Sequence, residues 1–202
     1  PVPGMDLDIV DEDGNPIRGN NGYLIIKQPW PAMTRGLLND DERYLETYWS
    51  KFENIWFHGD YVLADEDNLW YMQGRTDDVI NVSGHRMSTA EIEHTVISHK
   101  KISDAASISI PDELTGEAIV VFFVPENKNE INLEADIVEH INKKIGKIAK
   151  PKLIFQLSDL PKTRTGKIMR RLLKAKLTGN PLGDLSSLEN PDILKEIDKF
   201  KM

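Results

Sequence analysis

The chain has 202 residues, of which 29% are charged and 40% are hydrophobic, and its formal net charge is −8. This composition is typical of a globular protein of one or two domains, and the acidic balance argues against a general nucleic-acid binder. The absence of cysteine excludes disulfides and thiolate metal sites, and no apolar run approaches the ~20 residues of a membrane helix, so we expect a cytoplasmic protein without a membrane partner.

Residues 1–76 have the pattern of strands separated by turns. Apolar stretches bounded by Gly, Pro, Asn and Asp predict strands. They lie at residues 5–10, 22–27, 55–57, 61–64 and 69–73. A short helix is predicted within residues 39–51. We therefore expect a mostly β subdomain, which is either a small barrel or a sheet.

The pattern changes at Asp77, after which helices alternate with strands. The predicted strands cover residues 79–82, 106–110, 118–124 and 153–157. The predicted helices cover residues 89–98, with Thr89 as the N-cap, 133–148 and 167–177. Residues 77–202 are therefore expected to form a compact α+β domain, a mixed sheet with flanking helices, whose tail from Thr178 is a peripheral extension.

Residues 161–171 form a basic segment that reads Pro-Lys-Thr-Arg-Thr-Gly-Lys-Ile-Met-Arg-Arg, and residues 162–176 contain seven Lys or Arg and no acid. Gly166 permits a tight turn directly before Lys167. An ammonium positioned there would offset the repulsion between a reacting carboxylate and phosphate, and would stabilise the charge of an α-phosphoryl transition state. A solvated lysine on a basic helix is the alternative interpretation of Lys167.

A second segment, residues 74–86, reads Gly-Arg-Thr-Asp-Asp-Val-Ile-Asn-Val-Ser-Gly-His-Arg. Gly84 permits the close approach of a thin substrate to the backbone, and Arg75 has the planar fork to reach ribose or phosphate oxygens. Upstream, Asp60 follows Gly59 and could accept two hydrogen bonds from ribose hydroxyls. The alternatives are a turn aspartate and a surface hairpin arginine.

Together, the two segments resemble the adenylate-forming acyl-CoA synthetases. The Thr-Ala-Glu-Ile-Glu stretch at residues 89–93 and the Asn-Pro-Leu-Gly-Asp stretch at residues 180–184 are similar to the acetyl- and propionyl-CoA branch, and to acetyl-CoA synthetases most closely. The resemblance implies that Lys167 acts at the reacting centre. It implies nucleotide contacts by Asp60, Arg75 and Arg86. It implies coenzyme A contacts by Ser83, Gly84, His85 and, where the family commonly has an Arg, Lys143 or Lys144.

The resemblance also implies a reaction in two halves. ATP with Mg²⁺ and a small carboxylic acid give an acyl-adenylate and pyrophosphate, after which coenzyme A displaces AMP. Between the halves, the small domain is expected to rotate about a hinge at Asp77, which withdraws Lys167 and brings residues 82–85 to the adenylate. Acetylation of Lys167 would block adenylation, which implies an acetyltransferase and a deacetylase as partners. A weak structural cation site is implied at Ile97, His99 and Ile102.

Some features depart from the family pattern. His58 stands where Thr or Ser is usual, and Met87-Ser88 stands where Leu-Gly is common. The chain begins with Pro1, and the resemblance covers only the last third of a typical enzyme, without its phosphate loop and acyl pocket. We therefore expect the C-terminal part of a longer enzyme, which forms no adenylate by itself. The alternatives are a longer-chain acyl-CoA ligase, a carrier-loading adenylation domain and a non-catalytic anion-binding module.

Overall fold

The structure is a computed structural model that describes residues 2–127, 130 and 132–200. The chain divides into two compact units, residues 1–77 and 78–202. Both units combine helix with β-sheet, which confirms the predicted α+β class. Among the described residues, no helix has both the length and the apolar character that crossing a membrane requires.

The first unit is a four-stranded antiparallel sheet with one helix. Its strands lie in chain order as β1 (Leu7–Val10), β2 (Asn21–Ile26), β3 (Trp56–Ala64) and β4 (Trp70–Arg75), and its helix is α1 (Asp41–Trp49). Asp40 caps α1 by accepting a hydrogen bond from the Arg43 backbone N at 3.3 Å. Tyr48 of α1 stacks on Trp56 of β3 with ring centroids 4.3 Å apart, so aromatic packing attaches the helix to the sheet.

Strand β3 is one strand where the sequence predicted two. It continues through residues 58–60, and its pairing with β2 shifts register between Tyr23 and Ile25. A bulge therefore takes up the extra residues of β3, and Gly59 permits it because its φ is +84°. Asp60 consequently lies within strand β3. The sequence had suggested instead that it follows a turn.

The second unit is built on a mixed five-stranded sheet. Its strands are β5 (Val79–Val82), β6 (His85–Ser88), β7 (Ile102–Asp112), β8 (Gly116–Pro125) and β9 (Leu153–Gln156). The antiparallel order is β6-β5-β8-β7, and β9 pairs with β8 in parallel. Its helices are α2 (Thr89–Ile97), α3 (Glu134–Lys144), α4 (Arg170–Thr178) and α5 (Ile193–Ile197).

Strand β8 has an uninterrupted apolar run because both of its faces are covered. One set of alternating side chains packs against α4 and α5, and it comprises Ala118, Val120 and Phe122. The other set packs against α2 and α3, and it comprises Ile119, Val121 and Phe123. The second unit is therefore a helix–sheet–helix sandwich with a core on each side of the sheet.

Two helices begin at other residues than predicted. Ser88 rather than Thr89 caps α2, since its Oγ accepts a hydrogen bond from Ala90 N at 3.1 Å; the preceding residues form β6, a strand that the sequence did not predict. Helix α4 begins at Arg170 rather than at Lys167. The reason is that residues 162–168 first close a hairpin, whose base is a bridge between its two end residues.

The tail after Thr178 is not a peripheral extension. Ile193, Leu194 and Ile197 are buried in the same core as α4. Helix α5 has only five residues, which is too short for periodicity to be a strong signal. The tail therefore completes the core on one face of the sheet.

An ion pair between a buried carboxylate and a partly buried guanidinium joins elements from opposite faces of this sheet. Glu93 of α2 is 7% exposed, and Arg170 of α4 binds it with Nε–Oε1 at 2.8 Å and Nη2–Oε2 at 2.5 Å. The same carboxylate accepts a hydrogen bond from Ser107 N at 2.8 Å. The hydrogen bonds to Glu93 raise the pKa of Arg170. The pair therefore fixes the start of α4 relative to α2 and β7.

Glu93→Ala is expected to lower the free energy of unfolding by about 3 kcal/mol, because it leaves the largely buried Arg170 guanidinium without its counter-charge. Chemical denaturation followed by circular dichroism measures this change. Glu91→Ala, on the exposed face of the first turn of the same helix, is the matched control and should cost less than about 1 kcal/mol, the contribution of an acid near a helix N-terminus. An equal loss at both positions would contradict the internal role of Glu93.

Candidate functional site

Asp60, His58 and Arg75 form one polar cluster in the first unit. Asp60 and Arg75 are partners across β3 and β4, with Oδ1 and Nη1 3.7 Å apart. The other carboxylate oxygen, Oδ2, lies 3.3 Å from His58 Nε2, so the residue that departs from the family pattern contacts the carboxylate directly. The Asp60 side chain is 20% exposed, and its oxygens can accept further hydrogen bonds from hydroxyl groups of a ligand.

Gly59 allows Arg75 to lie against the bulge of β3. A Cβ at Gly59 would come within 2.7 Å of Arg75 Nη2, and the φ of Gly59 is +84°. Arg75 donates from Nη1 to the His58 carbonyl oxygen at 3.3 Å, and from Nε to Asp77 Oδ1 at 3.3 Å. Backbone and carboxylate contacts therefore orient the guanidinium beside Asp60.

Ser83 and Gly84 form the predicted two-residue turn between β5 and β6. Both have positive φ values, 52° and 83°, as the primed turns of tight hairpins require. Ser83 N donates to Thr115 O at 2.8 Å, which holds the turn to the connection between β7 and β8. The turn brings Ser83 and Gly84 beside His85 and Arg86, all four exposed. No described atom lies within 4 Å of a Cβ built on Gly84, so the tip presents open backbone to a ligand.

Lys167 lies in a second hairpin, residues 162–168, which we call the lysine hairpin. Thr163 N donates to Lys167 O at 2.9 Å, and Gly166 N donates to Thr163 O at 2.8 Å. Gly166 has a φ of +80°, the left-handed position of a three-residue hairpin loop. Thr163 Oγ1 also accepts a hydrogen bond from Lys167 N at 3.1 Å. Both backbone polar groups of Lys167 are thus bonded, while the residue is exposed.

The seven cations of residues 162–176 differ in their partners. Those engaged within the unit are Lys162, Arg170, Arg171, Lys174 and Lys176. Within residues 2–127, 130 and 132–200, by contrast, neither Arg164 nor Lys167 has a side-chain ion pair or hydrogen bond. The two cations of this segment for which the structure describes no internal partner therefore both lie on the lysine hairpin, whereas those of α4 are held by contacts within the unit.

Lys143 lies in the last turn of α3 and is exposed. It borders a polar cavity of about 250 Å³ that is also lined by His99, Asp136, Glu139 and His140. Burial lowers the pKa of His140, and the two acids on the cavity wall would repel a phosphate. A phosphate contact by Lys143 therefore requires its side chain to reach outward from the cavity, and it stays a prediction.

The cation site predicted at Ile97, His99 and Ile102 would depend on backbone oxygens. The His99 carbonyl oxygen already accepts a hydrogen bond from Ile102 N at 3.0 Å, and Ile97 is 41% exposed. In the described part of the chain, no group of three or more His, Cys, Asp or Glu could hold a metal ion. These three residues would therefore hold a cation mainly through backbone oxygens, and the site stays a prediction.

The sequence and the fold both match known proteins. Residues 91–167 match the family described as AMP-binding enzyme C-terminal domain. An acetyl-coenzyme A synthetase from Pyrobaculum arsenaticum is 46% identical over 202 residues, which cover 98% of this chain and 30% of that protein. One from Methanothrix thermoacetophila is 43% identical over 204 residues, covering 98% and 31%. The acetoacetyl-CoA synthetase from Streptomyces lividans has a TM-score of 0.85 and 25% identity, over 96% of this chain and 30% of that one.

Residues 91–167 therefore belong to the AMP-binding enzyme C-terminal domain family. The matches confirm the resemblance to acyl-CoA synthetases that the two sequence segments predicted. The chain spans 30–31% of the length of the two curated relatives. The similarity therefore concerns a C-terminal part of such an enzyme and does not by itself show the activity of a whole enzyme.

Three residues that hold the lysine hairpin and the start of α4 in place were not among the residues that the sequence predicted for the site. Glu93 carried a signal, because it lies beside Ile92 on the apolar stripe of α2, where an acid requires a buried partner. Thr163 and Asn190 carried none. Their contacts with Lys167 and Lys162 arise from hairpin and tail geometry, which local periodicity does not report.

Substitution of two glycines separates backbone strain from the Arg75 contact. Gly84→Ala is expected to lower the free energy of unfolding by about 1 kcal/mol through its positive φ alone. Gly59→Ala has the same strain and also displaces the Arg75 guanidinium, so we expect a further loss of about 1 kcal/mol. Chemical denaturation of both variants measures the difference between their free energies of unfolding. The same two substitutions made in the Arg75→Ala variant show how much of that difference depends on Arg75. If Gly59→Ala costs no more than Gly84→Ala, the close packing of Arg75 on the bulge is wrong.

Proposed function

We propose that this chain is the C-terminal part of an AMP-forming acyl-CoA synthetase that acts on acetate or a similarly short acid. The observation that carries the proposal is the lysine hairpin, which fixes the backbone of Lys167 and leaves its ammonium without an internal partner among the described residues. The full-length enzyme would convert ATP, the acid and coenzyme A into acyl-CoA, AMP and pyrophosphate through an acyl-adenylate.

In the first half-reaction, a carboxylate oxygen of the acid attacks the α-phosphorus of ATP, and pyrophosphate leaves. Two anions must meet, and negative charge spreads over the α-phosphoryl oxygens. Lys167 supplies a positive charge at that point. Because the hydrogen bonds of its N–H and C=O groups already hold the backbone, the ammonium reaches the transition state with little reorganisation.

The nucleotide would be held by the polar cluster of the first unit. Asp60 has carboxylate oxygens available to accept hydrogen bonds from the two ribose hydroxyls. Arg75 lies beside it and is oriented by the His58 carbonyl oxygen and by Asp77. His58 contacts Asp60 Oδ2, so it can fix the carboxylate in the place of the usual Thr or Ser.

In the second half-reaction, the thiol sulfur of coenzyme A attacks the acyl carbon of the adenylate, AMP leaves and the thiol proton is released. The turn between β5 and β6 would line the path of the pantetheine arm, because Gly84 presents backbone without a side chain. His85 and Arg86 follow on the same hairpin, where Arg86 would meet a nucleotide phosphate.

The two half-reactions thus use two different hairpins of the second unit. We propose that this unit rotates about Asp77 between them, as an enzyme with two successive active conformations requires. The division of the chain beside Asp77 supports that hinge. Acetylation of Lys167, by an acetyltransferase and reversed by a deacetylase, would replace its ammonium by a neutral amide and stop only the first half-reaction. A cytoplasmic location, with ATP and coenzyme A at hand, fits the same proposal.

In the full-length enzyme, Lys167→Ala is expected to slow acid-dependent pyrophosphate release by about 10²–10³-fold, because a preorganised charge at the transition state is lost. Thioester formation from supplied acyl-adenylate should stay near the parent rate. Lys195→Ala, which removes an exposed cation of the same unit, is the matched control for charge and should change neither rate. Equal loss of both half-reactions in Lys167→Ala would contradict the division of labour.

A panel of acids tests the substrate class. Acetate or propionate is expected to give the highest rate of pyrophosphate release, with sustained turnover only when coenzyme A is present. Each further methylene should reduce kcat/KM by about tenfold or more if a small pocket receives the acyl group. Turnover with long or aromatic acids alone would assign a longer-chain ligase, and no turnover with any acid would favour the anion-binding module.

A further inference from the structure

The tail that follows α4 is hydrogen-bonded to the lysine hairpin. Glu189 N donates to Lys162 O at 2.9 Å, and Thr163 forms an antiparallel bridge with Leu188. The strand that enters the hairpin is therefore paired on both of its edges, by the returning strand of the hairpin and by the tail. The tail is distant from Lys167 in sequence, but it borders the hairpin that carries Lys167.

Asn190 makes the most extensive of these tail contacts. Its Oδ1 accepts a hydrogen bond from Lys162 N at 3.1 Å. Its Nδ2 donates to Asp159 Oδ2 at 2.9 Å and to Leu160 O at 2.8 Å. Both amide hydrogens and the amide oxygen are therefore used, and one side chain binds three of the four residues 159–162.

Lys162 and Asp159 extend this network to the sheet. The Lys162 ammonium lies 2.8 Å from Asp104 Oδ2 and 3.1 Å from Asp159 Oδ1. The hydrogen bond from Lys162 to Asp104, on β7, is the main reason why the pKa of Lys162 is raised. Asp159 therefore binds Lys162 and Asn190 at once, and the base of the hairpin is connected to both the sheet and the tail.

We propose that Asn190 is a positioning residue for adenylation, which fixes the lysine hairpin and so places the ammonium of Lys167. The proposal rests on the proposed role of Lys167. Without Asn190, the ammonium is still present but its hairpin samples more positions, and a misplacement of about 1 Å can slow a reaction on the order of 10²-fold. The turn at Ser83 and Gly84 has no described contact with this network, so thioester formation should not depend on Asn190.

The test is Asn190→Ala in the full-length enzyme, with two readouts. Acid-dependent exchange of pyrophosphate into ATP is expected to fall by about 10–10²-fold, while thioester formation from supplied acetyl-adenylate keeps the parent rate. Hydrogen exchange is expected to accelerate at the amides of Lys162, Thr163 and Lys167 and to stay unchanged in β8. Asn180→Ala is the matched control on the same tail, since its amide donates to Thr178 Oγ1, and it should alter neither readout.

A swap of two side chains distinguishes positioning from general destabilisation. Asn190→Asp alone places a second carboxylate beside that of Asp159. Its pyrophosphate exchange should be as slow as that of Asn190→Ala. The double variant Asp159→Asn with Asn190→Asp restores a donor and an acceptor across that contact, and we expect it to recover part of the lost pyrophosphate exchange. If the double variant exchanges pyrophosphate no faster than Asn190→Asp, the contact between residues 159 and 190 is not the cause of the slower reaction.

Equal losses in both half-reactions, or parent-like hydrogen exchange throughout the lysine hairpin, would also overturn the proposal. Failure of the proposed function has a different signature. If Lys167→Ala leaves pyrophosphate exchange intact, Lys167 has no role in adenylation, whereas hydrogen exchange in Asn190→Ala still decides whether Asn190 fixes the hairpin.

Discussion

The buried ion pair between Glu93 and Arg170 is the constraint on which the second unit depends. Arg170 begins α4 directly after the lysine hairpin, and Glu93 lies in α2 directly after the hairpin of β5 and β6. The pair therefore ties together the two helices that follow the two candidate hairpins. A buried ion pair is tolerated only if its remaining hydrogen-bonding capacity is satisfied, and the bond from Ser107 N to Glu93 contributes to that. Apolar contacts are non-directional, so a core made of them alone would not fix the position of Arg170, the first residue of α4, relative to α2.

The two hairpins of the candidate site in the second unit combine a rigid base with an exposed tip, and in both a left-handed residue makes this possible. Gly166 has room for a positive φ at no cost, whereas Ser83 adopts a φ of 52° with a side chain present. A non-glycine residue holds that conformation only where its surroundings compensate. The bond between Ser83 N and Thr115 O provides such support. Strain at the tip is thus offset by a contact at the side of the turn.

The sequence predicted the features that depend on local pattern. The apolar run of β8 and the turn at Ser83 and Gly84 could be read directly, because burial on both faces and a primed turn leave clear residue signatures. The start of α4 could not, since Ile168, Leu172 and Leu173 continue a helical stripe across a hairpin that only long-range pairing reveals. The tail contact made by Asn190 spans 28 residues, and no local rule reports it.

The arrangement of charge is compatible with the anionic ligands proposed for this acidic chain. A net charge of −8 repels nucleotides at long range, but at physiological ionic strength that repulsion is screened beyond about 8 Å. Within that range the local cations decide, and five of the seven in residues 162–176 already have internal partners. The two whose side chains have no partner in the described part of the chain, Arg164 and Lys167, both lie on the lysine hairpin. If Lys167 acts in adenylation as proposed, the hairpin places its ammonium at the reacting phosphate, and the accuracy of that placement sets how much stabilisation the reaction receives. Under that proposal, the contacts at the base of the hairpin matter to function as well as to stability.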